Sequence, residues 1–212
     1  WTAWTKDLPQ VQQLTVPRWY GVEDNESAIL NVFSDASQDA YGAVAIVVSA
    51  SGKRSFVAAK GRVTNKVRPP TIPRSELQAL VVGVRLGRSA IEELEGQVAI
   101  TRVVFWTDSA VVWYWVKDEK NQFEVFVANR LAEVHEIVEL LQKQVDQVEV
   151  RWVDTANNPA DLISRGCVGQ EMETRFQFWT QGPDFLTQPE DEWPKLTGQA
   201  PEIPLETKVA RV

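Results

Sequence analysis

Four acidic residues stand where an apolar segment ends or a helical segment begins, and this placement restricts the folds open to the chain. Asp35 and Asp108 follow apolar runs, whereas Glu76 and Asp161 lie near the start of segments with helical character. Burying like charges together is costly unless a cation neutralises them. The four positions therefore predict a divalent metal site.

The hydrophobic pattern predicts strands and helices in a definite order. Strands are predicted over residues 28–33, 41–49, 55–63, 102–107 and 148–152, and helices from about residue 76, over 109–117 and over about 123–144. Three antiparallel strands followed by alternating helices and strands imply an α/β fold. Its five-stranded mixed sheet has two strands parallel to the first, and helices cover both faces.

This topology brings the acids towards one edge of the sheet. Asp35 and Asp108 end strands that right-handed crossovers make parallel neighbours. Asn158 suits a helix N-cap and Pro159 the first helical position, which puts Asp161 in a first turn beyond the last strand. Each acid alone has a structural explanation as a turn or first-turn residue. Their convergence favours the metal site.

Composition describes an ordinary globular protein. The chain has 212 residues, of which 44% are hydrophobic and 24% charged, so one domain with extensions is predicted. No apolar run approaches the roughly 18 residues of a membrane span, which predicts a soluble protein without membrane contact. The chain begins at Trp1 without a methionine or a signal-peptide pattern, so it is predicted to be a piece of something longer.

Two scarce residue types exclude other chemistries. The single cysteine, Cys167, excludes an internal disulfide and suits a reducing compartment. His135 is the only histidine, which disfavours Ser-His-Asp, Cys-His and multi-histidine sites. It is interpreted as a structural or solvated residue in the middle of a helix. Asp-Thr-Gly and Asp-Ser-Gly are both missing from the sequence, so an aspartic protease is excluded.

Basic residues are distributed unevenly. The net charge of −7 argues against a nucleic-acid partner, yet no acidic residue lies between Asp39 and Glu76. Seven basic residues fall in that interval: Lys53, Arg54, Lys60, Arg62, Lys66, Arg68 and Arg74. A solvated hairpin with a basic edge would explain them. Because the interval leads directly into Glu76, a positive track beside a metal pocket is the alternative, and it predicts a phosphodiester substrate.

Six motifs carry a family resemblance. They are Phe33-Ser-Asp-Ala-Ser37, Tyr41-Gly-Ala-Val44, Ile72-Pro-Arg-Ser-Glu-Leu77, Phe105-Trp-Thr-Asp-Ser109, Phe126-Val-Ala-Asn-Arg130 and Asn158-Pro-Ala-Asp-Leu-Ile-Ser-Arg-Gly166. The order of the acids resembles the Asp-Glu-Asp-Asp signature of ribonuclease H, and the motifs are similar to the ribonuclease H region of Bel/Pao-type LTR retrotransposon polyproteins. The likeness runs from residue 1 to about 195.

The resemblance implies a function and a site. The expected activity is hydrolysis of the RNA strand of RNA/DNA hybrids during reverse transcription. Two Mg²⁺ or Mn²⁺ ions roughly 4 Å apart are expected, with Asp35 bridging them. Glu76 and Asp108 would hold one ion with the attacking water, and Asp161 the other. The candidate substrate contacts are Ser37, Lys60, Arg62, Arg74, Ser109, Asn157 and Arg165.

The resemblance also implies a context and boundaries. Residues 1–25 are expected to extend from the reverse transcriptase side, 26–168 to form the catalytic domain, and 169–212 to extend towards integrase. Expected partners are the hybrid and those two regions of the same polyprotein, in a cytoplasmic virus-like particle. Oligomeric state stays open.

Departures from the family pattern leave one alternative open. Ala110 replaces the Gln or Asn that often follows the Asp-Ser pair, and no histidine lies in the loop 154–157 before the last acid. A basic helical protrusion has no room between Val116 and Phe123. The alternative is a weak or inactive connection module that binds hybrid nucleic acid. A transposase or integrase core is disfavoured because Glu76 comes so early in the chain.

Overall fold

The fold is described from a computed structural model. It describes residues 14–23, 26–118, 120–167 and 171–197, together with Thr5, Pro9 and Gln12. Residues 1–4, at the start of the family likeness, and the stretch 199–212 lie outside these residues. None of the helices in the described part of the chain has the length and hydropathy of a membrane span.

Five strands form one mixed sheet. They are β1, Ser27–Ala36; β2, Ala40–Ser49; β3, Arg54–Val63; β4, Ala99–Thr107; and β5, Gln147–Trp152. Their order is β3-β2-β1-β4-β5. The β1–β2 and β2–β3 pairs are antiparallel, whereas β1–β4 and β4–β5 are parallel. The predicted sheet is confirmed, with β1 at its centre and the half-buried β5 at its edge.

Strand β1 is longer than predicted. Its ladder with β2 continues until Asp35 pairs with Gly42 and Ala36 with Tyr41. Asp35 therefore lies within the strand, one residue before its end, and not beyond it. A Cβ on Gly42 would approach the Lys60 carbonyl oxygen to 2.4 Å, so this hairpin needs glycine there.

Helix α1, Ile72–Leu94, packs on one face of the sheet. Pro73 stands in its first turn, where a missing N–H costs nothing. The helix begins earlier than predicted, so Glu76 lies in its second turn. A Cβ on Gly87 would come within 2.6 Å of the Phe105 ring. Glycine here allows close contact between α1 and the sheet.

Two further helices complete that face. Helix α2 covers Ala110–Lys117 and helix α3 Val125–Leu141. Trp115 of α2 is buried in the core with Phe123 and residues of α3. Trp115 is thus a core residue. His135 Nε2 lies 3.0 Å from the Val116 carbonyl oxygen, which confirms a structural role for the histidine.

The opposite face is covered by the C-terminal part of the chain. Helices α4, Asp161–Arg165, and α5, Glu171–Gln181, are followed by 3-10 turns at Asp184–Thr187 and Glu190–Glu192. Phe185, Leu186 and Trp193 are buried against the sheet, and the Trp106 ring packs on both aromatic ones. Helices therefore lie on both faces, as predicted.

Ion pairs hold this C-terminal segment to the sheet edge. Arg102 of β4 and Arg151 of β5 each pair with Glu149 and with Glu190. Both guanidinium groups also lie about 5 Å from the centre of the Trp193 ring. Hydrogen bonds from Arg102, which has the largest effect, and from Arg151 lower the pKa of the Glu190 carboxyl group to about 2. The network couples Trp193 and Glu190 to two neighbouring strands.

Candidate active site

Parallel pairing of β1 with β4 brings two of the four acids together. Ser34 of β1 is the register partner of Thr107 of β4, and each is followed by an aspartate, Asp35 or Asp108. The Ser34 hydroxyl donates to the Trp106 carbonyl over 3.0 Å, which links the strands just below. Asp35 and Asp108 thus lie side by side at the same edge of the sheet, as predicted.

Each of three carboxylates accepts a hydrogen bond from one hydroxyl group. Ser109, the N-cap of α2, donates to Glu76, and Ser164 of α4 donates to Asp35. Thr155, in the loop after β5, donates to Asp108 over 2.9 Å. These bonds tie β1, α1 and β4 to different neighbouring elements. The orientation of each carboxylate is therefore fixed by a residue from another part of the chain.

Electrostatic repulsion shows that the three carboxylates share one site. Burial, followed by repulsion from Asp35 and Glu76, raises the pKa of Asp108 to about 7. Burial also raises the pKa of Glu76, with a smaller contribution from Asp35, while the Ser109 hydroxyl lowers it. Such shifts arise where like charges lie close together away from water. The three carboxylates therefore repel one another, and a bound cation would reduce this repulsion.

Asp161 lies in the first turn of α4, but its carboxylate faces two arginines. Arg165 Nε lies 2.5 Å from one carboxylate oxygen, and Arg175 Nη2 of α5 lies 3.5 Å from the other. The regular helix starts at Asp161, later than predicted, because Asn158 to Ala160 form a turn. In that turn the Asn158 side chain accepts from the Ala160 N–H over 3.1 Å.

The donors suit a hard divalent cation in type. Carboxylate oxygens are the side-chain ligands that Mg²⁺ prefers, and three of them are electrostatically coupled. Within the described residues, no three acidic, histidine or cysteine side chains have the geometry of a ready metal group. The carboxylate donors therefore fit a divalent cation in type, while their orientations in the described residues do not form a ready metal group.

Several predicted substrate contacts have structural partners. Ser37 donates to the Ser164 carbonyl over 2.6 Å, and Ser109 caps α2. Asn157 donates to Asp154 over 2.8 Å. The Arg74 guanidinium lies 5.1 Å from the centre of the Phe126 ring. Their roles towards a substrate stay predictions.

Lys60 and Arg62 line a cleft on the α1 side of the sheet. Both are exposed residues of β3, and they face α1 together with Arg85. Next to this cleft is another of about 390 Å³, also lined by Arg62 and Arg85 and by Arg130 of α3. Glu133 neutralises Arg85 through an ion pair of 2.5 Å. The remaining positive charges form a basic surface between β3, α1 and α3.

Three residues of the site were not predicted. Thr155 and Ser164 follow Asp154 and Asp161 closely, but neither carries a sequence signal that separates it from an ordinary polar residue. Arg175 lies beyond the predicted end of the catalytic domain at residue 168. Only the folded chain brings its guanidinium to Asp161.

Sheet order, helix placement and the acidic cluster together define a ribonuclease H-like domain. The chain belongs to the Pao retrotransposon-like RNaseH-like domain family, whose sequence model matches residues 1–109. This range contains Asp35, Glu76 and Asp108, whereas Asp161 lies beyond it. The predicted family is confirmed.

Solved structures similar to the chain include ribonucleases H. The N-terminal RNase H domain of a Mycobacterium tuberculosis protein, fused to maltose-binding protein, has 15% identity and a TM-score of 0.46, covering 72% of this chain and 98% of that one. RNase H1 of Halobacterium salinarum has 16% identity and a TM-score of 0.44, covering 65% and 93%. A foamy viral protease-reverse transcriptase in complex with RNA/DNA hybrid has 14% identity and a TM-score of 0.39, covering 66% and 20%. No curated protein sequence matches the chain.

Proposed function

We propose that the chain is a divalent-metal-dependent endonuclease that hydrolyses the RNA strand of RNA/DNA hybrids during reverse transcription of a retroelement. The observation that carries the proposal is the set of three mutually repelling carboxylates, Asp35, Glu76 and Asp108, each oriented by a hydroxyl group. Such a set is poorly suited to stability and well suited to holding cations. Membership of the Pao family supports the retroelement context.

The proposed ligands are Asp35, Glu76, Asp108 and Asp161, for two Mg²⁺ or Mn²⁺ ions. When bound, such ions lower the pKa of water and neutralise charge on the leaving oxygen. The chain itself orients the carboxylates through Ser109, Thr155 and Ser164. Specificity for the RNA strand is proposed to use its 2′-hydroxyl groups, since these distinguish RNA from DNA. The reverse transcriptase and integrase regions of the same polyprotein are proposed partners, in a cytoplasmic virus-like particle.

The first test compares three labelled duplexes: RNA/DNA hybrid, RNA/RNA and DNA/DNA. With Mg²⁺ or Mn²⁺, RNA is expected to be cut only in the hybrid, leaving 3′-hydroxyl and 5′-phosphate ends. EDTA is expected to stop the reaction, because the carboxylates alone provide no charge neutralisation. Gel analysis of the products measures both results. Cutting that persists in EDTA, or equal cutting of duplex DNA, contradicts the proposal.

The second test addresses the basic surface. Replacing Lys60 and Arg62 with Ala is expected to weaken hybrid binding and to lower the slope of log affinity against log salt by about 1 for each phosphate that is no longer neutralised. Fluorescence anisotropy at several salt concentrations measures the slope. Lys143→Ala, at an exposed lysine just past the end of α3, removes one positive charge away from this surface and is the control. An unchanged slope in the double variant contradicts phosphate binding by Lys60 and Arg62 and supports the alternative that they are solvated residues of an exposed strand.

The pairing of Asp161 with two arginines favours a second candidate, a weak or inactive module that binds hybrid nucleic acid. The two candidates differ in one measurement. A connection module binds the hybrid without cutting it at any Mg²⁺ or Mn²⁺ concentration, whereas the proposed nuclease cuts.

A further inference from the structure

Asp161 is the only one of the four acids whose two carboxylate oxygens contact two different cations of the described chain. Arg165 comes from the same helix, four residues later, and Arg175 comes from α5. The Asp161 side chain is 16% exposed, whereas those of Arg165 and Arg175 are 65% and 40% exposed. The carboxylate is therefore enclosed, while both guanidinium groups reach solvent.

Two neighbouring guanidinium groups oppose a metal ion at Asp161. A divalent cation placed on this carboxylate meets two positive charges within a few ångströms, in a partly buried setting where charge interactions are poorly screened. It also has to replace the hydrogen bond from Arg165 to one carboxylate oxygen and the ion pair of Arg175 with the other. The other three acids have hydroxyl partners, which carry no charge and do not repel a cation.

We propose that Arg165 and Arg175, here called the arginine pair, position the Asp161 carboxylate away from the metal site and so weaken metal binding until substrate arrives. A phosphodiester can compete for Arg175, because this guanidinium group is 40% exposed, lies 3.5 Å from the Asp161 oxygen, and can donate two parallel hydrogen bonds to phosphate oxygens. Substrate phosphate that takes Arg175 frees Asp161 for the metal. This regulation rests on the proposed function for its substrate, and it makes α5 a regulatory element of the site.

The coupling has a required consequence. If substrate and metal each favour the released state of Asp161, then each raises the affinity of the other by the same factor. The same gain in metal affinity is obtained without substrate when the charge of Arg175 is removed. Metal binding to the substrate-free protein is therefore the direct readout.

The experiment titrates Mn²⁺ into the metal-free full chain by isothermal calorimetry. Arg175→Gln is expected to bind Mn²⁺ at least about fivefold more tightly than the wild type, the lower end of typical coupling between sites. Arg175→Lys keeps the charge and is expected to resemble the wild type. Arg88→Gln is the matched control, since Arg88 is an exposed arginine of α1 paired with Glu92 over 2.7 Å. Asp161→Asn in the Arg175→Gln background is expected to remove the gain.

Cleavage of the hybrid provides the second readout. The Mn²⁺ concentration for half-maximal cleavage is expected to differ less between wild type and Arg175→Gln than the calorimetric affinities do, because substrate already occupies Arg175. If the wild type and Arg175→Gln differ by the same factor in half-maximal Mn²⁺ concentration and in calorimetric affinity, substrate does not release Asp161 from Arg175. Equal calorimetric affinities of wild type and Arg175→Gln, with both folded by circular dichroism, overturn the arginine pair itself. If no variant cleaves while the Asp161-dependent gain is present, the arginine pair stands and the nuclease proposal fails.

Discussion

Replacing Asp108 with Asn is expected to abolish RNA cleavage, by roughly 10³-fold or more, and at the same time to stabilise the metal-free protein at pH 8. The two effects have one cause. Asp108 carries charge that a bound ion needs, and without the ion that charge repels Asp35 and Glu76. Asparagine keeps an oxygen that accepts from Thr155 but removes the charge. Activity and stability therefore change in opposite directions.

The pH dependence follows from the raised pKa of Asp108. Its pKa is about 7 in the folded protein and near 3.8 in the unfolded chain, so the folded state holds the proton more strongly. The stabilising contribution is complete below pH 3.8 and is lost as the pH rises through 7. The advantage of Asp108→Asn over the wild type is thus expected to be small at pH 4 and to reach roughly 1–3 kcal/mol at pH 8.

Thermal melts in EDTA at pH 4, 6 and 8 measure this dependence. Asp146→Asn, at an exposed position before β5, removes the same charge outside the site and is the control. Millimolar Mg²⁺ is expected to raise the melting temperature of the wild type by mass action, and to do so much less in Asp108→Asn. Asp35→Asn is expected to lose cleavage in the same way. Strong destabilisation of both variants without metal contradicts the interpretation and makes the two aspartates structural.

The fold was predictable because its signals are local and repeated. Apolar runs with turn residues between them gave the strands, and a crossover rule gave the parallel neighbours that bring Asp35 and Asp108 together. Among the predicted elements only the ends differ from the structure, whereas helix α5 was not predicted. Tertiary pairing extended β1 past Asp35, and Pro73 allowed α1 to begin before Glu76. Neither change displaced an acid from the shared edge.

Groups that orient the acids were not predictable in the same way. Thr155 and Ser164 are single hydroxyl residues in loop and helix, and their partners are 47 and 129 positions away in the sequence. Arg175 reaches Asp161 only because α5 packs on the face of the sheet opposite α1, which is here called the outer face. Contacts of this kind depend on long-range packing, which has no periodic signature. The sequence therefore predicts which carboxylates meet and leaves open what holds each of them.

The boundary after residue 168 leads to the second large prediction. Ending the chain there is expected to give an unfolded or aggregating protein, although all four acids are retained. The deletion removes Phe185, Leu186 and Trp193, whose burial contributes about 1.5–3 kcal/mol each. Their sum is comparable to the roughly 5–15 kcal/mol of a whole domain. It also uncovers Phe33 and Trp106 on the outer face of the sheet.

A single substitution tests the same point in the full chain. Trp193→Ala is expected to lower the free energy of unfolding by about 3–5 kcal/mol, because it leaves a cavity beside Trp106 and removes the ring between Arg102 and Arg151. Urea unfolding followed by circular dichroism measures the change. Trp19→Ala, at a tryptophan that is 55% exposed, is the matched control and is expected to cost less than about 1 kcal/mol. A chain of residues 1–197 keeps every contact named here and is expected to fold. If the chain ending at 168 folds as stably as that one, the C-terminal segment is an appendage and the outer face of the sheet is stable without it.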